Sequence, residues 1–553
     1  MTHVAPRSRI RLGLVAAAIG LALGSSSCTL IIDRSSDQCE SDGECAGFPG
    51  TTCSAEGLCV EPPCSSTREC LDLFGDEHVC NHRTERCASL RSRACTNING
   101  DYTSDDAFFI GSVAPLEGED AATGQVEQNA IKLALHDFKQ TSNGLPPRVS
   151  GGATRPIVLV GCNDDSDGDE AVSAAQHLVK VGVPAIIGAA YSGITIRVAT
   201  EVTIPNQVLL ISPSATSVAI TDLADQELVW RTAPSDVFQA RAMTAYVPRI
   251  EAKLGDPGGP LDAPTARMKL AILHKGDTYG SGLAKAVQDQ LVMNDEPVLA
   301  QANVADYLRV DYGNPDDASN PTRYEQTVEE ALGLRPHVVL LLGTAEAVRE
   351  ILPGIEEGWA EPAYKPQYVL SDGTVRDLLW NYVASNDDLR RRLTGTIPGT
   401  INPLFDGFRS DYTTLFHGMV SPDVFGAAGA YDATYLLAYS AASIGAGAID
   451  GPALAKGLKK LVPTVTGSAS VDVGTGGING TFMRLSQGES VDFTGASGPL
   501  DFNVATGEAP SDIQIWCLPA DAAGMAQSAI FSGLYLKAGS DDLIDPPSGS
   551  ACD

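Results

Sequence analysis

The sequence predicts an α/β fold of parallel sheets covered on both faces by helices, preceded by a small disulfide-rich module. Three observations lead there. Short apolar, β-branched runs alternate with amphipathic stretches beyond residue 105, nine cysteines crowd between Cys39 and Cys95, and the first thirty residues have the charge and hydropathy order of an export leader.

In the leader, Arg7, Arg9 and Arg11 precede an apolar run from Leu12 to Leu23, and small residues lead into Cys28. The run is too short for a spanning helix. Its layout resembles a bacterial lipoprotein signal ending at a lipidated Cys28, although Ser25 stands where that pattern favours Leu. The expected division is a leader over 1–28 and a polar tether over 29–38, with acyl chains holding the protein on a membrane surface at about 0.8 kcal/mol per buried CH₂. Setting Cys28 aside leaves twelve cysteines, an even number suited to disulfides in an oxidising compartment.

The module spans 39–95. Cys39, Cys45, Cys53 and Cys59 are followed by Cys64, Cys70, Cys80 and Cys87, and both sets begin with a Cys-x5-Cys step ending Glu-Cys. This is a duplicated unit of about twenty-five residues, too small to hold a core without cross-links. Two disulfides per copy are expected, and four cysteines leave three connectivities open. His78 and His82 lie among these cysteines, but thiols in disulfides cannot bind zinc, so they read as bystanders.

From 105 to 520 the chain reads as one α/β body. Strands are predicted at Phe108 to Val113, Ile157 to Val160, Val183 to Ile187, Val208 to Ile211, Leu270 to Leu273, Val338 to Leu342 and Tyr368 to Leu370. Val126, Ala130, Ile131, Leu133, Ala134 and Phe138 form one apolar face at the helical period. Continuous apolar strands alternating with such helices imply parallel sheets, whose ligands sit beyond the carboxyl ends of the strands. There the sequence places Gly188 to Gly193, Ser212 to Thr216, His274 to Gly280 and Ser371-Asp372-Gly373. Hydroxyls and open N–H groups at helix starts receive anions, and one added carboxylate suits a zwitterion. Each loop alone also reads as a helix cap. Residues 521–553 read as a C-terminal tail.

Other functions are demoted. With a net charge of −31 and a pI near 4.5, the chain repels phosphate backbones, so nucleic acid is not a partner. The loop Asn163 to Glu170 begins like a calcium loop, but position twelve is Ala174, which favours an acidic helix start. No phosphate loop, nucleophile elbow or His-Glu-x-x-His occurs, and His136, His177, His274, His337 and His417 are scattered without ligand spacing. Tyr431-Asp432-Ala433 with Tyr435 to Leu437 reads as a packing helix. Neither enzyme chemistry, a metal nor a cofactor is expected.

The stretch Ile110 to Gly118, the run Ile187 to Ser192, Leu210 to Thr216, Trp230 to Ala233, Ala271 to Ala284 and Ser371 to Gly373 together resemble, in order, the leucine/isoleucine/valine-binding proteins. These are type I periplasmic binding proteins of branched-chain amino acid ABC transporters. The resemblance covers about 107–520. It implies two Rossmann-like lobes joined by three crossovers, near Ala233 to Asp236, Ile397 to Thr400 and Leu485. Lobe 1 would span about 105–233 and 398–485, and lobe 2 about 234–397 and 486–520. It further implies that Ser192, backbone at Ser214 and Thr216 hold a ligand carboxylate. Asp372, where the family more often has Glu, would take the amino group, and Tyr279 would close over the ligand. Thr344, Ala345 and Gly426 stand where the family tends to carry aromatic residues, so a roomier or more polar pocket is expected, for a ligand larger than leucine or one that is not an α-amino acid. Gly255 to Ala263 and Asp311 to Pro321 read as exposed inserted loops. The function implied is an exported, lipid-anchored receptor that hands an amino acid-like solute to an ABC permease. The alternative is a surface sensor with the same clamp and no transport role.

Overall fold

A computed structural model describes residues 39, 41–47, 51–54, 57–149, 151–361, 363–399, 403–417, 419–463 and 468–546. The leader, Cys28 and the tether lie outside the described residues. The chain forms two compact units, Met1–Pro62 and Pro63–Asp553. No described helix is long and apolar enough to cross a membrane.

In the first unit, Cys39–Cys53 and Cys45–Cys59 disulfides bind a short 3-10 turn, Asp42–Gly47, to a two-stranded ladder of Thr52–Cys53 and Cys59–Val60. The second copy of the module belongs to the larger unit and repeats the pairing as Cys64–Cys80 and Cys70–Cys87. First-to-third and second-to-fourth linkage in both copies resolves the connectivity that spacing left open. The sulfurs grouped closely enough to hold a metal, among the described residues, are these disulfide sulfurs. His78 stacks on Phe74 with ring centroids 5.5 Å apart.

The second copy is built into the α/β body. Ser66 caps the helix Thr67–Phe74 by accepting from the Glu69 N–H, a device worth about 1 kcal/mol. Asn81 Nδ2 donates to the Lys180 carbonyl at 3.1 Å, and Val79 and Leu90 pack with Leu178 and Val181. The module boundary expected at residue 95 is therefore divided at residue 62, and Cys95 opens a strand of the main sheet, bonded to Cys162.

Lobe 1 has a six-stranded sheet in the order Val229–Arg231, Leu209–Ser212, Ala185–Gly188, Phe108–Ala114, Ile157–Asn163, Cys95–Asn99, parallel except for the last. Alternate residues of each strand face opposite ways. Ile110, Leu159 and Ile187 pack under the helices Ala121–Ser142 and Ala427–Ile444, whereas Val113, Val160 and Ile186 pack under Gly168–Val181. The predicted helical face Val126 to Phe138 is buried, as its period requires.

Lobe 2 has an eight-stranded sheet. Tyr307–Asp311, Leu270–His274, Val338–Leu342, Gln367–Leu370 and Leu393–Pro398 run parallel, and Ile513–Cys517, Ile530–Leu536 and Leu543–Ile544 extend it antiparallel. Asp236–Leu254 and Thr278–Gln290 cover one face, and Tyr324–Leu334 and Leu352–Gly358 the other.

The C-terminal boundaries differ from expectation. Val491–Thr494 pairs with Ala469–Asp472, and Val491, Phe493 and Ala509 lie in the lobe 1 core. The third crossing thus falls between Ala509 and Ile513 rather than near Leu485, and much of the expected tail is sheet. The reason is that Gly- and Ser-rich spacers around the four-residue strand Val491–Thr494 hide its apolar alternation, and Ser532-Gly533 interrupts the apolar run of Ile530–Leu536.

Candidate functional site

Strand tips of lobe 1 supply a polar rim. Ser192 opens the helix Ser192–Val198, and its Oγ accepts from the Ser217 N–H at 3.1 Å. Ser212 Oγ accepts from the Ala215 N–H at 3.0 Å and donates to the Ala189 carbonyl at 2.7 Å. Arg231, 1% exposed and paired with Glu508, donates to the Ser217 carbonyl at 2.8 Å. The loop 213–217 is therefore held from behind. Among the described residues, no acceptor lies within hydrogen-bond reach of the Ser214 or Thr216 N–H. Ser214 Oγ lies 2.7 Å from Glu127 Oε1 and 3.1 Å from the Ala190 carbonyl. Burial pushes the Glu127 carboxyl up to about 8. A protonated Glu127 donating to Ser214, which donates on to Ala190, satisfies both contacts.

The opposite side carries acids. Asp372 follows the strand Gln367–Leu370, and its Oδ1 accepts from Tyr279 Oη at 2.6 Å and Gln239 Nε2 at 2.9 Å. Tyr279 is fixed in the first turn of Thr278–Gln290, whose cap Asp277 accepts from the Gly280 N–H at 2.7 Å. Gln239 is fixed by Thr396 Oγ1 at 3.0 Å. Burial raises the Asp372 carboxyl, although the Tyr279 and Gln239 hydrogen bonds oppose the shift.

One residue of this site was not singled out from sequence. Asp236 opens the helix Asp236–Leu254 one turn before Gln239 and is fully buried, its carboxylate short of close donors, with the Thr216 side chain as the hydrogen-bonding group beside it. Its carboxyl is held well above the ordinary range by burial and then by the charge of Asp372. In sequence Asp236 is visible only as the edge of a crossover. The usable signal was Asp236 and Gln239 at i and i+3, which share a helix face.

The two sides meet. Ser217 Oγ donates to the Thr278 carbonyl at 3.1 Å, and the Asp236 N–H donates to the Thr216 carbonyl at 2.8 Å. With the Ser192–Ser217 and Tyr279–Asp372–Gln239 bonds, these contacts join the two sides in one buried polar cluster. Ser192, Thr216, Tyr279 and Asp372 are brought together, and Ser214 stands beside them, its hydroxyl engaged by Glu127. At the mouth, Arg376 pairs with Asp120 at 3.0 Å and Arg349 with Glu119 at 2.5 Å, each across the lobes. Burial works against the Asp120 charge, but Arg376 holds its carboxyl low.

The positions where rings were missing differ from each other. Thr344 turns into lobe 2, where its N–H donates to Glu346 Oε1 at 2.9 Å. Gly426 has φ +94°, and a Cβ there would meet Glu127 Oε1 at 2.4 Å and Ser214 Cβ at 2.9 Å. The acidic loop spends its oxygens locally, since Asp167 caps Gly168–Val181 by accepting from the Asp169 N–H at 2.8 Å and the Glu170 N–H at 2.9 Å.

Against known proteins, residues 107–305 match the family described as periplasmic binding protein. The Leu/Ile/Val-binding protein homolog 3 of Brucella melitensis is 30% identical over 177 residues, 32% of this chain and 42% of that protein. The leucine-specific-binding protein of Salmonella typhimurium is 28% identical over 188 residues, 34% of this chain and 44% of that protein. The chain thus spans less than half the length of these curated relatives. Among solved structures, a branched-chain amino acid transporter substrate binding protein from Streptococcus pneumoniae, in complex with isoleucine, superposes with a TM-score of 0.53 at 20% identity. It covers 78% of this chain and 99% of its own. A leucine binding protein from Thermotoga maritima gives 0.54 at 17% identity, covering 77% and 99%. At such identities the structures speak for the fold, which is the two-lobed type I fold implied by the sequence motifs.

Proposed function

We propose, from the premise that this chain is a member of the branched-chain amino acid binding protein family over residues 107–305, that it is an exported receptor closing two lobes over a small zwitterion, an amino acid, for delivery to an ABC permease. The observation that carries this reading is the fully buried carboxylate of Asp236, short of close donors and beside Asp372, on a residue whose N–H is bonded to the loop that holds the undonated N–H groups of Ser214 and Thr216. A buried acceptor without a donor is costly, and an ammonium group brings three donors. Asp372 Oδ1 is engaged by Tyr279 and Gln239, so the Asp236 carboxylate is the main acceptor for the amine, with Asp372 supplying the second charge. Ser192, Ser214 and Thr216 receive the carboxylate. Tyr279 ties lobe 2 to the amine acceptor. Each charge-assisted bond contributes about 1.5–3 kcal/mol in a site that closure keeps dry.

Calorimetry with a panel of amino acids tests the reading. Asp372→Asn should abolish measurable affinity for every amino acid bound by the wild type, and unchanged affinity would reject amine recognition. Binding chemistry without catalysis accords with the relatives, which are named as binding proteins. Cys28 is the proposed lipid attachment point, and Cys28→Ser should move the protein from the membrane to the soluble fraction. The doubled cysteine module favours a second reading, a surface sensor in which these stapled copies contact a partner.

A further inference from the structure

On the side of the hinge turned away from Asp372 lies an apolar cavity of about 90 Å³ to which both lobes contribute. All three interlobe crossings line it, through Pro234, Ile397 and Ser511, and the half-buried rings of Phe405, Phe425 and Phe531 complete its wall. The cavity is separate from the clamp. Thr396 and Ile397 are consecutive residues of one strand, so their side chains face opposite ways. Thr396 Oγ1 accepts from Gln239, which holds Asp372, whereas Ile397 faces the cavity, and neither the donor residues Ser214 and Thr216 nor the acids Asp236 and Asp372 stand in the wall.

The polar side chains of the wall are engaged except for one. Asp423 is paired with Arg409 at 2.9 Å, Ser497 Oγ donates to Asp432 Oδ2 at 2.5 Å, and Ser511 Oγ donates to the Asp512 carbonyl at 3.2 Å. Thr232 Oγ1, on a residue only 5% exposed, has no hydrogen-bond partner. A hydroxyl shut away from water without a partner is unfavourable, and a guest that brings one removes the cost. A Cβ on Gly429, also in the wall, would come within 2.6 Å of Thr232 Oγ1, so glycine there keeps the hydroxyl clear. The volume exceeds the ~10–15 Å³ that one water needs and falls below the ~150 Å³ of a dry cavity that takes up benzene, which sets the guest at roughly four to six heavy atoms. Among the described lining residues Asp423 alone carries a charge, and Arg409 already balances it, so a charged guest would lack a counter-charge.

We propose that this cavity is a second ligand site, for a compact neutral molecule with an apolar body and one hydroxyl that meets Thr232 Oγ1. The site goes beyond the zwitterion clamp and does not depend on it. Because the wall is assembled from both lobes and all three crossings, it has this shape in the lobe arrangement in which Arg376 meets Asp120, and moving the lobes apart takes it to pieces. A guest that fits the cavity therefore binds the closed arrangement better than an open one. By linkage it strengthens the hold of the closed lobes on a solute in the clamp.

The test is ligand-observed NMR on the full mature protein with isobutanol, a branched neutral alcohol, and with isobutylammonium, its charged counterpart. Isobutanol should bind saturably and stay bound when a mixture of amino acids is added, and isobutylammonium should bind more weakly. Ala428→Leu, which fills the cavity from the start of Ala427–Ile444, should weaken isobutanol roughly tenfold or more. Thr232→Val, which exchanges the hydroxyl for a methyl group, should weaken it about three- to tenfold. Absence of saturable binding, or unchanged affinity in both variants, would overturn the site. Displacement of isobutanol by the amino acids would overturn it too, by placing the alcohol in the clamp, and isobutylammonium binding as tightly would reject the neutral class. Should Ala428→Leu fail to fold, Phe405→Ala removes one wall ring and should weaken isobutanol several-fold, and unchanged affinity there would again reject the site. Calorimetry of an amino acid that binds, with and without isobutanol, reads the coupling: its affinity should rise about two- to threefold, and no change would reject the link to closure. Isobutanol bound by a protein that takes no amino acid would uphold the cavity and reject the clamp.

Discussion

The two sides of the crevice are built on opposite plans. Lobe 1 presents donors on a loop whose Ser217 carbonyl is tied down by Arg231 and whose Ser217 and Ala215 N–H groups are tied down by Ser192 and Ser212. The hinge helix and lobe 2 present acceptors, and those of Asp236 are short of close donors. A rigid donor side meets little reorganisation when an anion arrives, whereas a pair of buried acids is satisfied only when a cation arrives. The difference teaches that the acid side carries most of the selectivity for charge, because its empty state is the unfavourable one.

The sharpest way to break this comparison is to neutralise the acids one at a time. Asp372→Asn removes a charge and disturbs the Tyr279 and Gln239 bonds together, and the expected loss is at least 100-fold in affinity, about 3 kcal/mol. Asp236→Asn should lower affinity about tenfold or more while raising the thermal stability of the ligand-free protein, since it removes a buried acid short of close donors. Calorimetry and a melting curve on the same sample read both. Asp236→Asn that lost stability would show that the acid is structural.

The two sides should also answer pH, the acid side in affinity and lobe 1 in stability. Asp236 and Asp372 have raised carboxyls in the empty site, and an ammonium binds their ionised forms. Binding should release protons, and affinity should be full above the empty-site pKa values and fall as pH drops through them. Titration in two buffers of different ionisation enthalpy measures the release. On lobe 1, Glu127 rises to about 8 from an ordinary 4.5, so the folded state holds a proton that the unfolded state gives up first. Stability from this group is therefore full below about pH 4.5 and is lost as pH rises toward 8. Melting temperature should fall by roughly 5 °C between pH 5 and 8, and Glu127→Gln should flatten that slope.

Much of the fold was legible because periodicity records burial. Ile157 to Val160 and Val338 to Leu342 are buried on both faces and read as parallel strands, and Val126 to Phe138 betrays its helix by one apolar stripe. Cys95–Asn99 was not legible as a strand, because it lies at a sheet edge with polar residues turned outward. In the site, Ser192, Thr216, Tyr279 and Asp372 stood out because polar residues at strand tips are conspicuous after apolar runs. Asp236 and Glu127 did not, since an acid in the first turns of a helix is also what a solvated cap looks like. Only the packing of the other lobe, or of Ser214, makes them buried.

The smallest expected effect concerns what holds the two sides together rather than what either recognises. Arg376 and Asp120 meet at 3.0 Å across the mouth with both side chains about one-fifth exposed, so the pair is partly shielded from salt and adds to the closed form. Arg376→Met should remove that contribution, and with it the Arg376 bond to the Gly373 carbonyl at 3.1 Å, while leaving the Asp372 bonds to Tyr279 and Gln239 in place. If the closed form is the binding-competent one, affinity falls by the factor by which its population falls, about three- to fivefold for a pair worth roughly 1 kcal/mol. The same fraction should be lost for every amino acid that binds, because the latch acts on closure. Unequal losses would place Arg376 in recognition instead, and the division of labour between a donor side, an acceptor side and a separate latch would have to be redrawn around it.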